Sequence, residues 1–230
     1  ALNSIDFERT GYLKHNNEWY RYSLAPYSSG KLEKADLPAS LHFSNNVIEN
    51  EHLKVVFNNM GQIEKIVDKP NNDNCVSSSF NAVRIYKDRF VHPYNAWDID
   101  INYTKHKPRD MKLAQSREYC DGNSVVRENK FVYNSSSLVQ RIILTENCPY
   151  IKVENEVDWH ETHKMLRIDA YPKNFNEKVL CDIQFGNIQR STKTDNKIDF
   201  AQFEIPVFFF FFLFFLCFLF FGTTANTDTE

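Results

Sequence analysis

Two short segments combine residue types that could do chemistry. Trp97-Asp98-Ile99-Asp100 sets two carboxylates two residues apart. In an extended chain they share one face, roughly 6–7 Å apart by the strand rise. That separation is within the range glycosidases use for their paired carboxylates. Against it, a catalytic pair usually comes from different strands or loops, and the same run suits a strand with one solvated face. Tyr94, Trp97 and Tyr103 lie close in sequence, with Asn95 and Asn102 among them. Rings beside amides and carboxylates can stack on a sugar and hydrogen-bond it, and they can also simply fill a core rim. The second segment, His160-Glu161-Thr162-His163, looks like the zinc-peptidase pattern but is one residue short. That pattern needs two histidines one helical turn apart on one helix face. Here they are three apart and follow a strand, where they would point to opposite faces, so the spacing predicts no metal site.

The elements that must carry these residues read as β throughout. Residues 3–27 predict two short strands around a polar turn at His15-Asn16-Asn17, and Pro26 to Pro38 predicts a linker. Ile48 to Phe57 predicts one strand, turned by Asn58-Asn59-Met60-Gly61 into Gln62–Asp68, with Gly61 at the position that needs positive φ. Further strands are predicted at Val83–Tyr86, Val125–Tyr133, Leu138–Leu144, Ile151–Trp159, Leu166–Tyr171 and Val179–Phe185. Within Ile151–Trp159 the apolar residues Ile151, Val153 and Val157 alternate with Lys152, Glu154, Glu156 and Asp158, so one face of the sheet is wet. Asn155 breaks the apolar face and predicts an edge or a hydrogen-bonded contact there. Trp159 and that apolar face are expected in the main core. No segment from 40 to 200 keeps a 3.6-residue period, which predicts an all-β, large antiparallel sandwich preceded by part of a small β domain.

Composition bounds the rest. The chain has 230 residues, 42% of them hydrophobic, enough for one good-sized core. A net charge of −3 gives no basic patch for nucleic acid. The five cysteines (Cys75, Cys120, Cys148, Cys181, Cys217) are odd in number and scattered. That argues for reduced thiols in a cytoplasmic protein, with a vacuolar setting as the alternative, rather than a disulfide scaffold. Two glycosylation triplets begin at Asn102 and Asn134; short triplets of this kind recur by chance in an Asn-rich chain. The first residue is Ala and no charged-then-apolar leader follows, so the reading has no signal peptide and a start further upstream.

Several segments together carry a family likeness. Val157-Asp158-Trp159-His160-Glu161, with His163-Lys164 and Leu166-Arg167, resembles a run typical of the cytosolic and bacterial-type α-mannosidases of glycoside hydrolase family 38. Ile48-Glu49-Asn50-Glu51 with Leu53, Val55, Phe57, Gly61 and Ile63, then Ala96-Trp97-Asp98-Ile99, resemble further segments in the same order. So do Ile183-Gln184-Phe185-Gly186, Arg190-Ser191-Thr192 and Ala201-Gln202-Phe203-Glu204. The likeness covers about residues 1–206. It implies a domain plan of 1–38 as a small β domain remnant with linker, 39–206 as the large β-sandwich, and 207–230 as an apolar tail outside the fold.

The resemblance also implies a function and its limits. In the family an upstream β/α domain holds a zinc (or cobalt) ion and the nucleophilic aspartate, and a helical bundle follows it. The chemistry is retaining, through a covalent mannosyl-enzyme. None of those metal or nucleophile motifs occurs in this sequence, so no catalytic or metal-binding residue is carried over and no cofactor is expected in this segment. The implied partners are α-mannosides and the enzyme's own catalytic and helical domains, with no nucleic acid and no membrane. By the resemblance Trp97 and Asp98 are the best candidates for contacts in the sugar cleft. Arg190 is a weaker one, a cation for a sugar hydroxyl or for a carboxylate across the domain interface, with Ser191 standing where the family often has Pro. A stand-alone carbohydrate-binding β-sandwich is the competing reading. A fragment should leave one face apolar and exposed, whereas a free module should not.

The tail departs from the family after Pro206. Val207 to Phe221 is an unbroken run of Val, Phe, Leu and one Cys, holding half of the 20 Phe in the chain. As a helix it would reach about 22 Å, short of the roughly 30 Å hydrocarbon core, and no basic flank marks a cytosolic side. Phe and Leu codons are pyrimidine-rich, so a translated polypyrimidine tract is preferred over a membrane anchor.

Overall fold

The computed structural model describes residues 1–35, 38–88, 103, 105–174, 176–192 and 221–224; these hold strands and no α-helix. Strands β1 (Arg9–His15) and β2 (Glu18–Leu24) form a hairpin closed by Asn16 and Asn17, both at positive φ. Asn tolerates that conformation better than most residues, so the polar turn falls where the sequence puts it. The expected linker contains a further strand, β3 (Glu33–Lys34), paired to β2. Asn3 ties off this small sheet by donating to the carbonyls of Phe7, Leu24 and Ala25.

Strands β4 (His42–Ser44), β5 (Val47–Glu49), β6 (Leu53–Phe57), β7 (Ile63–Asp68) and β8 (Asp73–Asn74) form an antiparallel meander. The stretch Ile48–Phe57, expected as one strand, is two. Asn50 breaks it: its Oδ1 accepts from the His52 and Leu53 amides, and its Nδ2 donates to the Thr145 and Cys148 carbonyls. Gly61 takes the predicted positive φ, +75°.

Next come β9 (Ala82–Lys87) and β10 (Arg109–Asp110), then four antiparallel strands: β11 (Lys112–Asp121), β12 (Ser124–Tyr133), β13 (Ser136–Thr145) and β14 (Lys152–Asp158). β15 (Lys164–Asp169) turns back to pair with β9. β16 (Lys178–Ile183) and β17 (Gly186–Ser191) make a separate hairpin. The short β18 (Phe221–Thr224) lies parallel to β14. The remainder of the Phe-rich run lies outside the described residues. Among the described residues no helix is long and apolar enough to cross a membrane.

The inner face of β11–β14 is covered by two sheets in succession. Toward one end Val125, Ile142, Leu144 and Val153 pack against Ile48, Val55, Phe57 and Ile63 of the β4–β8 meander. Toward the other, Phe131 and Leu138 pack against Val83 and Ile85 of β9, with Trp159 and Leu166 at the margin. Trp159 is thus only partly buried and edges this second cluster instead of sitting in the main core. It follows the last residue of β14, so the alternation that buries Val153 no longer controls it. Between the two clusters runs a polar belt. Asn129, Gln140 and Asn155 are cross-strand neighbours on the same inner face. Asn81 donates to Gln140, Gln140 donates to Asn155, and Asn129 donates to the Gly61 carbonyl. The Asn155 exception is this hydrogen-bonded contact.

Candidate functional site

Period-two alternation aims one face of the β10–β9–β15 sheet at the core and the other outward. Val83, Ile85 and Leu166 go inward. Arg84 and Arg167 face outward, directly paired across the strands. Like charges in that register repel, and neighbouring carboxylates and rings offset the repulsion. Arg84 donates to Asp169 (3.1 Å), Asp110 (3.2 Å) and the Tyr171 hydroxyl (2.7 Å), and its guanidinium sits 5.5 Å from the Tyr171 ring. Arg167 lies between the rings of Tyr86 (5.2 Å) and Tyr103 (5.5 Å) and donates to the Tyr103 hydroxyl. Tyr86 donates to Asp169 at 2.6 Å. Cation–π and charge-assisted contacts of this kind reinforce one another in a partly desolvated cluster.

The electrostatics fit holding better than proton transfer. Burial, then the bond to Asp169, pushes the Tyr86 phenol up to about 12. Burial pulls Arg84 down, but Asp169, Tyr171 and Asp110 more than offset it and its affinity for its proton rises. Neither group titrates near neutrality. Tyr103, buried, stands edge-on to Tyr86 at 5.4 Å, and the Asp88 amide donates to the His163 carbonyl. Asp88 and Tyr103 are thereby each tied to the β9–β15 region. Trp97 and Asp98, with Tyr94 and Asp100, lie outside the described residues. Of the aromatic trio only Tyr103 lies among the described residues, buried and accepting from Arg167.

The residues that gave the strongest sequence signature build a corner. The Val157–Arg167 stretch takes the chain from β14 in one sheet to β15 in another. His160 pairs with Asp158 at 2.8 Å, and its amide donates to Ser136. Glu161 accepts from Lys164 and Asn134; chiefly through the Lys164 bond, its carboxyl is held below the usual range. Lys164 also caps the Tyr133 ring at 5.0 Å. His163 adopts φ 52°, which ends the corner. Among the described residues no three His, Cys, Asp or Glu side chains stand together as a cation site.

Arg190 lies apart from the Tyr86 cluster, on β17 of the separate β16–β17 hairpin. Its Nε is shut off from solvent and has no acceptor among the described residues. Arg84, Asp110, Arg167, Asp169 and Tyr171 were not anticipated. Arg167 stands in the run that carries the family likeness and Tyr171 closes a predicted strand; for Arg84 the trace is the alternation Val83-Arg84-Ile85-Tyr86, which reveals an outward polar face but not what fills it.

The profile of the Glycosyl hydrolases family 38 C-terminal domain matches residues 48–213. Alpha-mannosidase 2C1 of Homo sapiens is 37% identical over 118 residues, 49% of this chain and 11% of that protein. Alpha-mannosidase G of Dictyostelium discoideum is 28% identical over 188 residues, 78% of this chain and 17% of that protein. The chain thus spans only a small part of the length of the relatives it matches. The crystal structure of an alpha-mannosidase from Enterococcus faecalis V583 superposes with a TM-score of 0.54 at 12% identity, over 82% of this chain and 26% of that one. That likeness is one of fold.

Proposed function

Because the chain belongs to the glycosyl hydrolase family 38 C-terminal domain family, we propose that it is the carboxy-terminal β portion of a retaining α-mannosidase. Its substrates in that setting are terminal α-D-mannose residues of oligosaccharides. The observation that carries this reading is the family match over 48–213 together with coverage of only 11% and 17% of two α-mannosidase relatives. The nucleophilic carboxylate and the zinc or cobalt ion belong, on this reading, to the catalytic domain. Among the described residues no three His, Cys, Asp or Glu side chains stand together to hold that ion.

What this chain supplies is shape and anchoring. Tyr86 and Arg167 hold Tyr103, and the His163 carbonyl holds Asp88, on either side of the segment that carries Trp97 and Asp98, which we assign to the sugar cleft. Arg190 is assigned to a sugar hydroxyl or to a carboxylate of the adjoining domain. The cytoplasm is the proposed compartment. The half-exposed apolar face of the β16–β17 hairpin, with Ile183 48% and Ile188 41% exposed, supports a part of a larger enzyme over a free-standing binding module.

Purified chain incubated with an aryl α-mannoside and zinc or cobalt should show no turnover. Hydrolysis that disappears in Asp98→Asn would overturn the assignment, because it would place a catalytic carboxylate within this sequence.

A further inference from the structure

The three-stranded sheet β1–β3 has two unlike faces. On one, Tyr12 donates to Glu146, and Lys14 and Trp19 donate to Asp121, so that face is seated on the large sheet. Alternation and register put the intervening residues on the other face. There Gly11 lies opposite Tyr22, Leu13 opposite Tyr20, and Tyr20 opposite Lys34. The solvent side of an antiparallel sheet is ordinarily polar. This one carries two partly buried tyrosines and a leucine that is 45% exposed. Tyr22 does not stand up from the sheet. A Cβ at Gly11 would come within 2.7 Å of its hydroxyl oxygen and within 3.0 and 3.3 Å of two ring carbons, so the ring lies across the Gly11 position. The missing side chain at Gly11 is what lets the ring lie flat. Beside the rings stands a polar pair. Lys34 donates to one Glu18 oxygen at 2.6 Å, and the Tyr20 hydroxyl donates to the other at 3.1 Å. Both ends of the ion pair stay open to solvent, with Lys34 67% and Glu18 49% exposed, and their charges offset each other.

We infer that this face is a binding platform for a neutral oligosaccharide. Tyr22 and Tyr20 stack against the C–H faces of neighbouring sugar units, and Glu18 and Lys34 hydrogen-bond their hydroxyls. The inference rests on the reading of the chain as part of an α-mannosidase, and it takes from that reading the kind of sugar, an α-linked mannose chain. Residues two apart on one strand are roughly 6–7 Å apart, a spacing suited to one sugar unit per ring. A sugar unit offers a flat apolar face with hydroxyls around its rim. Aromatic rings with a donor and an acceptor at their edge match that pattern. The offset charges of Glu18 and Lys34 suit a ligand without formal charge. A ring laid over an edge glycine also steadies the strand. That role alone calls for no ligand, so binding decides between the two.

The test titrates an α-linked mannotriose into the full chain, with binding followed by calorimetry. Saturable binding is expected. Tyr22→Ala and Tyr20→Ala should each weaken it by about five- to tenfold, the worth of one aromatic contact, and Tyr22→Phe should keep most of it. Gly11→Ala retains both rings but displaces Tyr22, so it should weaken binding too. Tyr27→Ser, at a tyrosine 73% exposed outside these strands, should change nothing. Circular dichroism of each variant establishes that the fold is kept. Lys34→Ala disturbs no packed ring and should still weaken binding, so the test survives if a tyrosine variant loses structure. No saturable binding, or binding that the variants at Tyr22, Tyr20, Gly11 and Lys34 leave intact, overturns the platform. The α-mannosidase reading is judged separately, by whether Alpha-mannosidase G carrying this chain in place of its matched 188-residue segment hydrolyses an aryl α-mannoside. An active hybrid with a chain that ignores mannotriose overturns the platform alone.

Discussion

Two buried or half-buried arginines show what a side chain's neighbours decide. Arg127 is enclosed in the belt region, donates to Glu118, Asn129 and Asn46, and lies 5.0 Å from the Phe57 ring. Arg127 thus finds acceptors inside the chain, whereas the Arg190 Nε has none among the described residues. On the outer sheet face Tyr86 belongs to the first kind. Its phenol is pushed up to about 12, by burial first and by its bond to Asp169 second. A tyrosine in an unfolded chain ionises near ~10. Between those two values the unfolded chain has lost a proton that the folded chain keeps. The Tyr86 contribution to stability is therefore fully present below the unfolded value and is lost as pH rises through the folded one. Tyr86→Phe should remove that loss. The urea midpoint of the wild type should fall more than that of the variant between about pH 9 and about pH 11; parallel profiles would show that Tyr86 ionises as an ordinary phenol.

The β1–β2 hairpin is seated on the large sheet by a few polar contacts and one close approach. Trp19 Nε1 and Lys14 both donate to Asp121, and Tyr12 donates to Glu146. Gly122, at φ +65°, lies under the Trp19 ring, where a Cβ would come within 2.7–2.9 Å of three ring atoms. Gly122→Ala would meet both a strained backbone and the indole. It should destabilise by more than about 1 kcal/mol and shift Trp19 fluorescence toward that of an exposed indole; unchanged emission and midpoint would mean the hairpin is not seated there. Elements of this kind differ in how readable they are. β13 buries every second residue from Ser136 to Leu144, and its strand is plain in the sequence. β11 is an edge strand with most side chains exposed, so no alternation marks it. The break at Asn50 is invisible locally because its side chain completes the turn by binding carbonyls near residue 145. The Arg84 cluster joins residues 85 positions apart, which only the pairing of β9 with β15 brings together. Trp97 and Asp98 are singled out by carboxylate spacing, ring clustering and family likeness, and they lie outside the described residues.

At the scale of the whole molecule, one sheet must accept two others end to end, and the polar belt marks where one cover stops and the next begins. An apolar inner face would bury as well against a slid cover. A row of amides would not, because each must find its partner. Asn129 meets a carbonyl of the β6–β7 turn, and Asn81, which opens β9, meets Gln140. The belt thus ties each covering sheet to a set position on β12 and β13. Its weight rests on Gln140, whose oxygen accepts from Asn81 and whose nitrogen donates to Asn155, all three buried. Gln140→Leu would add apolar volume but strand the Asn81 donor and the Asn155 acceptor, each a loss of about 1–3 kcal/mol. Asn155→Val would strand only the Gln140 donor, and it would also remove the Asn155 Nδ2, which is buried without an acceptor. The expected order in urea denaturation is therefore Gln140→Leu, destabilised by about 2–5 kcal/mol, well below Asn155→Val, at about 0–1.5 kcal/mol. The reverse order would show that the seam is held by the two apolar clusters and that the amides are passengers.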